Sequence, residues 1–181
     1  VTTVFVHLEI DGVLWEVADS YHAPIAIGAA AELAEDLGYE LPTCAMVDAI
    51  WRAADLRVEP PMRKHDGTWR TMATPAVYKD QEERIAKLLE GKRWMLLAGT
   101  HKDVVFDACR ACAGRAEGFW CKVCDAKHRG KKVLGLYGWH RTNGRVIQPF
   151  FAGHSREWID YAQGLRLVRR VVHPPVVGVA A

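Results

Sequence analysis

Residues 132–151 read "KVLGLYGWHRTNGRVIQPFF", and this stretch decides the fold class. Two strand-like runs flank Thr142-Asn143-Gly144. Asn-Gly between such runs is hairpin chemistry, because both residues tolerate positive φ. His140 closes the first arm, and His154 follows the second. Near the start, "VFVHLEI" (4–10) alternates apolar and polar, Asp11-Gly12 supplies a turn, and "VLWEVA" (13–18) returns, which predicts a second hairpin.

Between the hairpins the pattern is helical. "PIAIGAAAELAEDLG" (24–38) begins near Pro24 and stops at Gly38. In "LPTCAMVDAIWRAADL" (41–56), Thr43 is the expected N-cap. Met46, Val47, Ile50, Trp51 and Ala54 recur with the 3.6-residue period of a buried face. Residues 59–75 hold three prolines and no period, so they predict a long loop. Thr74-Pro75 opens a third helix that ends near Gly91. "RWMLLAG" (93–99), "DVVF" (103–106) and "GLRLVRRVV" (164–172) complete the expected strands. Helices early and strands late predict an α+β fold with a twisted, mostly antiparallel sheet, in one domain spanning residues 1–181.

The net charge of +2 hides an asymmetry. Residues 1–60 carry eleven acids against two arginines, and residues 61–181 carry eleven acids against twenty-two Lys and Arg. Either the halves fold onto each other with complementary fields, or the basic half faces an anionic polymer. No run approaches the ~18 apolar residues of a membrane span. The opening "VTTVFVHLEIDG" lacks a basic leader, so the expectation is a cytoplasmic protein, with release on lysis left open.

"CRACAGRAEGFWCKVC" (109–124) is the strongest motif: two C-x2-C pairs separated by eight residues. Such turns place four thiolates tetrahedrally around zinc at about 2.3 Å. Cys109, Cys112, Cys121 and Cys124 are the expected ligands of a structural Zn²⁺, in a knuckle inserted over 107–132. Two disulfides or a redox pair are the alternatives. The surrounding Arg110, Arg115, Lys122, Lys127, Arg129, Lys131 and Lys132 either bind an anionic polymer or offset the formal −2 charge of a Zn(Cys)4 centre. Four cysteines close the shell, so the knuckle itself carries no catalysis.

Catalytic candidates lie elsewhere. "THKDVV" puts His101, Lys102 and Asp103 just after a buried strand, where sites tend to be built. If the strand before His101 runs beside the strand ending at His140, then His101, Asp103 and His140 meet as an acid–base set. Lys102, His154 and Asp160 are the expected substrate-binding residues. Cys44, at a helix start, is the candidate nucleophile. It precedes the histidines as in papain-like and NlpC-like peptidases, although its flanks match neither. A second zinc held by His101, Asp103, His140 and His154 is another arrangement of the same residues. Each could equally be a turn-shaping or core residue.

"GTHKDVV", "LYGWHRTNGRVIQP" and "WIDYAQGLRLV" together resemble a group of uncharacterised bacterial and phage proteins, over roughly residues 20–60 and 95–170. The resemblance implies that the HKD and GWH segments share one core. It carries no activity, and its Ser-His pair is replaced here by Ala162-Gln163. The functional expectation is a small hydrolase of amide bonds, of the phage-lysin type, acting on peptidoglycan. Its anionic partner is cell wall rather than nucleic acid, and no membrane is involved. The alternative is a non-enzymatic zinc-containing phage structural or nucleic-acid-binding module.

Overall fold

Asp11 and Gly12 both take positive φ, 51° and 74°, and join β1 (Phe5–Ile10) to β2 (Val13–Ala18) in a two-residue antiparallel turn. The computed structural model describes residues 3–62, 72–92, 95–108, 121 and 131–172. A third strand, β9 (Val168–Arg170), adds antiparallel to β2. The second sheet has the order β7-β6-β5-β8, formed by β5 (Lys102–Ala108), β6 (Lys132–His140), β7 (Val146–Phe151) and β8 (Gln163–Gly164). All its pairings are antiparallel except β5 with β8. A short parallel pair joins β3 (Leu56–Arg57) to β4 (Leu97–Ala98). With three helices and mostly antiparallel sheets, the fold is α+β.

Helix α1 (Ile27–Asp36) starts three residues after Pro24, and Gly38 (φ 71°) follows its end. The hydroxyl of Thr43 accepts the Met46 N–H at 3.2 Å and caps α2 (Cys44–Ala53), which buries Met46, Val47 and Ile50. Thr74 caps α3 (Pro75–Leu88) by accepting from Val77 N–H. One core joins α2 to the first sheet through Met46, Ile50, Ile10, Val17 and Val168. A second joins α1 to the larger sheet through Ala30, Ala34, Val104, Leu136 and Leu165. Among the described residues no helix is long and apolar enough to cross a membrane.

Two expected strands are arranged differently. Among the described residues of the 93–99 run the strand is Leu97–Ala98, paired with β3 rather than with β6; β5 itself lies beside β6. The 164–172 run is not continuous. The chain leaves the larger sheet at Gly164, and Val168 joins the smaller one. Arg166 lies within this crossing, fully buried. Most of the 59–75 loop lies outside the described residues. So do residues 109–120 and 122–130 of the knuckle; Cys121, between them, is buried. The segment holding the four cysteines connects Ala108 to Lys132, which are Cα partners across β5 and β6.

Candidate functional site

The register of β6 against β7 slips between Leu136 and Gly138, and both Gly138 (φ 95°) and Trp139 (φ 54°) have positive φ. An irregularity of this kind re-aims side chains. In an unbroken strand Tyr137 and Trp139 would share a face and His140 would take the other. Here Tyr137 and His140 both reach Asp48 on α2, while Trp139 packs against Tyr161 on a separate cluster. Positive φ at a non-glycine residue marks strain that the surrounding packing must hold.

His140 is buried. Its Nε2 lies 2.8 Å from Asp48 Oδ1, and the Tyr137 hydroxyl donates to the same oxygen at 2.9 Å. The Trp51 ring stacks on the imidazole at 5.4 Å. A carboxylate taking Nε2–H leaves Nδ1 as the imidazole's acceptor. A Cβ at Gly138 would sit 3.5 Å from His140 Nδ1 and 3.6 Å from Asp103 Oδ2, so this glycine keeps open a space bordered by both groups.

Asp103 belongs to a second network. It faces Tyr137 across β5 and β6, and Tyr21 Oη donates to its Oδ2 at 3.2 Å. Arg166 Nε is 3.7 Å from Asp103 Oδ1, close enough for an ion pair and too far for a hydrogen bond. Arg166 also donates to the carbonyls of Ala18 (2.6 Å) and Leu97 (2.5 Å), and its guanidinium lies 4.0 Å from the Tyr21 ring centre. Burial pushes the Asp103 carboxyl up to about 6, against the pull of Arg166. His101 Nδ1 lies 3.1 Å from Thr100 Oγ1. Burial, and then the Arg166 charge, push its pKa down to about 3, so at neutral pH His101 is uncharged.

His101, Asp103 and His140 line one enclosed cavity of about 10 Å³, with Tyr21, Trp51 and Trp139 among its other walls. That is room for about one water molecule. The convergence of the two histidines and Asp103 agrees with the arrangement expected from the sequence. The pairing inside it differs: the carboxylate orienting His140 is Asp48, and Asp103 is engaged by Tyr21 and Arg166 instead.

The other candidates lie apart from this cavity. Lys102 Nζ and Asp160 Oδ2 are 2.5 Å apart in a buried ion pair, and Asp160 Oδ1 also accepts the Ala162 N–H. His154 stacks on Trp158 at 4.2 Å and is half-buried. Burial, and then the Lys102 charge, hold its pKa below the ordinary imidazole value. The two ribbon histidines therefore serve different places. Cys44 packs with Val47 and Val105, and its N–H donates to Asp107 Oδ2 at 2.7 Å. A thiolate there would share the helix N-terminus with the Asp107 carboxylate, which removes the electrostatic reason for choosing it. Gln163 is buried and donates to Trp158 O at 2.9 Å. Among the described residues no three His, Cys, Asp or Glu side chains are grouped to hold a metal ion, so the second-zinc arrangement has no geometric support here.

Asp48, Tyr21 and Arg166 were missed from the sequence. Asp48 had one signal: it is the one acid of α2 and flanks the apolar stripe formed by Met46, Val47, Ile50 and Trp51. Comparison with protein-family models, with curated proteins and with solved structures returns no match.

Proposed function

We propose that this chain is a hydrolase that activates water with His140 and acts on amide bonds, with peptidoglycan peptide as its substrate. The observation that carries the reading is the water-sized cavity bordered by His140, His101 and Asp103. Asp48 holds Nε2–H of His140, so Nδ1 accepts the proton of a water bound in the cavity. The resulting hydroxide adds to the amide carbonyl. Asp103, with a pKa of about 6, returns a proton to the leaving nitrogen. Neutral His101 orients the water by hydrogen bonding. The reading gives Cys44 no part in the chemistry, and the basic half of the chain, 61–181, holds the enzyme on an anionic wall polymer. The four-cysteine motif carries a structural zinc in the same proposal.

A second reading is a non-enzymatic binding module, and burial favours it: the His140 side chain is only 5 % exposed, and no serine, threonine or cysteine among the described residues lines the cavity. Purified peptidoglycan distinguishes the two. The hydrolase releases new amino groups, and His140→Ala and His101→Ala abolish the release while circular dichroism stays native. Absence of product with the wild type removes the hydrolase reading.

A further inference from the structure

Helix α3 exposes most of its length but buries one residue, Gln81, to 2 %. Neither Nε2 nor Oε1 of this side chain has a hydrogen-bond partner among the described residues. A buried polar group in that state is costly and calls for an explanation, and a carboxamide left so at both ends is doubly unusual. Gln81 lines a cleft of about 250 Å³ between α3 and the Tyr21–Pro24 segment, with Tyr78, Ile85, Tyr161 and His101 on its walls. His101 and Tyr21 border both this cleft and the water-sized cavity, so they form the partition between the two.

We propose that this cleft is a binding site for a small, neutral, planar ligand that presents an amide N–H and C=O on one edge, and that Gln81, whose Nε2 and Oε1 are both covered in the unliganded protein, turns into the cleft to read this edge with a donor and an acceptor. The geometry of the carboxamide decides the ligand class. A trans secondary amide points its N–H and C=O in opposite directions and cannot satisfy both ends of one glutamine. A primary carboxamide or a lactam ring carries the two side by side. Tyrosine rings and Ile85 suit a flat ligand face. Glu82, exposed at the same cleft, opposes a carboxylate ligand. The volume falls below the ~300 Å³ at which drug-sized pockets begin, so the ligand is of single-ring size. The inference stands whether or not the neighbouring cavity performs hydrolysis.

The test is binding of four probes to the full chain, followed by NMR line broadening and titration: benzamide, uracil, N-methylacetamide and benzoate. Benzamide or uracil binds, and N-methylacetamide and benzoate bind at least tenfold more weakly. Preference for benzamide identifies an open-chain carboxamide, and preference for uracil a lactam. Gln81→Met keeps the side-chain length without the amide, so it folds with unchanged or higher Tm and loses at least tenfold in affinity. Gln81→Glu, which keeps the acceptor but adds a charge, binds more weakly as well. Failure of both benzamide and uracil to bind at millimolar concentration overturns the proposal. So does equal affinity in wild type and Gln81→Met. Probe binding without any peptidoglycan cleavage leaves this site standing and removes the hydrolase reading alone.

Discussion

Asp48 Oδ1 receives two groups from one irregular strand, His140 Nε2 at 2.8 Å and the Tyr137 hydroxyl at 2.9 Å. Asp48→Asn preserves shape but offers the imidazole a different partner, so Nδ1 is no longer fixed as the acceptor. The expected loss in amide hydrolysis is about 10²- to 10⁴-fold, the span of general acid–base contributions. Tyr137→Phe removes one hydrogen bond to the same oxygen. It costs about 1 kcal/mol of stability, read from a denaturant midpoint, with a much smaller effect on rate.

Acid sensitivity follows from two buried groups of opposite sign. His101 has a folded pKa of about 3 against an ordinary 6.5, so its contribution to stability is whole above 6.5 and is lost as pH falls toward 3. Asp103 has a folded pKa of about 6 against an ordinary 3.8, so its contribution is whole below 3.8 and is lost as pH rises through 6. In the overlap each group exchanges close to one proton on unfolding, with opposite signs, so the two slopes largely offset one another in the wild type. Relative to the wild type, His101→Gln turns the Tm profile upward as pH falls from 6.5 to 4, and Asp103→Asn turns it downward. Thermal melts across that range check both. In the hydrolysis reading the protonated Asp103 is the acid, so kcat falls as pH rises above about 6.

Arg166 ties the crossing between the two sheets to Ala18 and Leu97 and holds its charge beside Asp103. Arg166→Met leaves that carboxylate buried without its counter-charge, at a cost of about 3–5 kcal/mol. Arg166→Met with Asp103→Asn loses less than the two single changes combined, because each single change strands the other's partner. Urea unfolding of the four proteins gives the coupling.

Much of the scaffold was readable because its signals are local. Asp11-Gly12, Thr43 and Thr74-Pro75 act on the few residues beside them, and each turn or cap formed where it was expected. The site was readable only in part. His101 and His140 share a cavity although the strand before His101 pairs with β3 and not with β6; β5, which begins just after His101, is the strand beside β6. The bulge at Leu136–Gly138 was not legible, because alternation in "GLYGWH" assigns His140 a face opposite to that of Tyr137. Arg166 sits in an alternating run that predicts one strand, and only the passage from one sheet to the other makes it a buried linchpin. The signals missed were long-range contacts, with Asp48 lying 92 residues from His140.

The two C-x2-C pairs predict one zinc per chain, measurable by elemental analysis of the purified protein. Because their segment links the paired ends of β5 and β6, chelation lowers Tm, and zinc restores it. A metal-free protein with unaltered Tm in EDTA rejects the structural zinc and leaves the His140 cavity unaffected.

The most direct measurement is the initial rate of amine release from purified peptidoglycan by wild type and Asp48→Asn at equal concentration, both verified as folded. The oriented-imidazole account predicts measurable release by the wild type and a fall of at least about a hundredfold in the variant. Equal rates in the two proteins, or no release by either, contradict it.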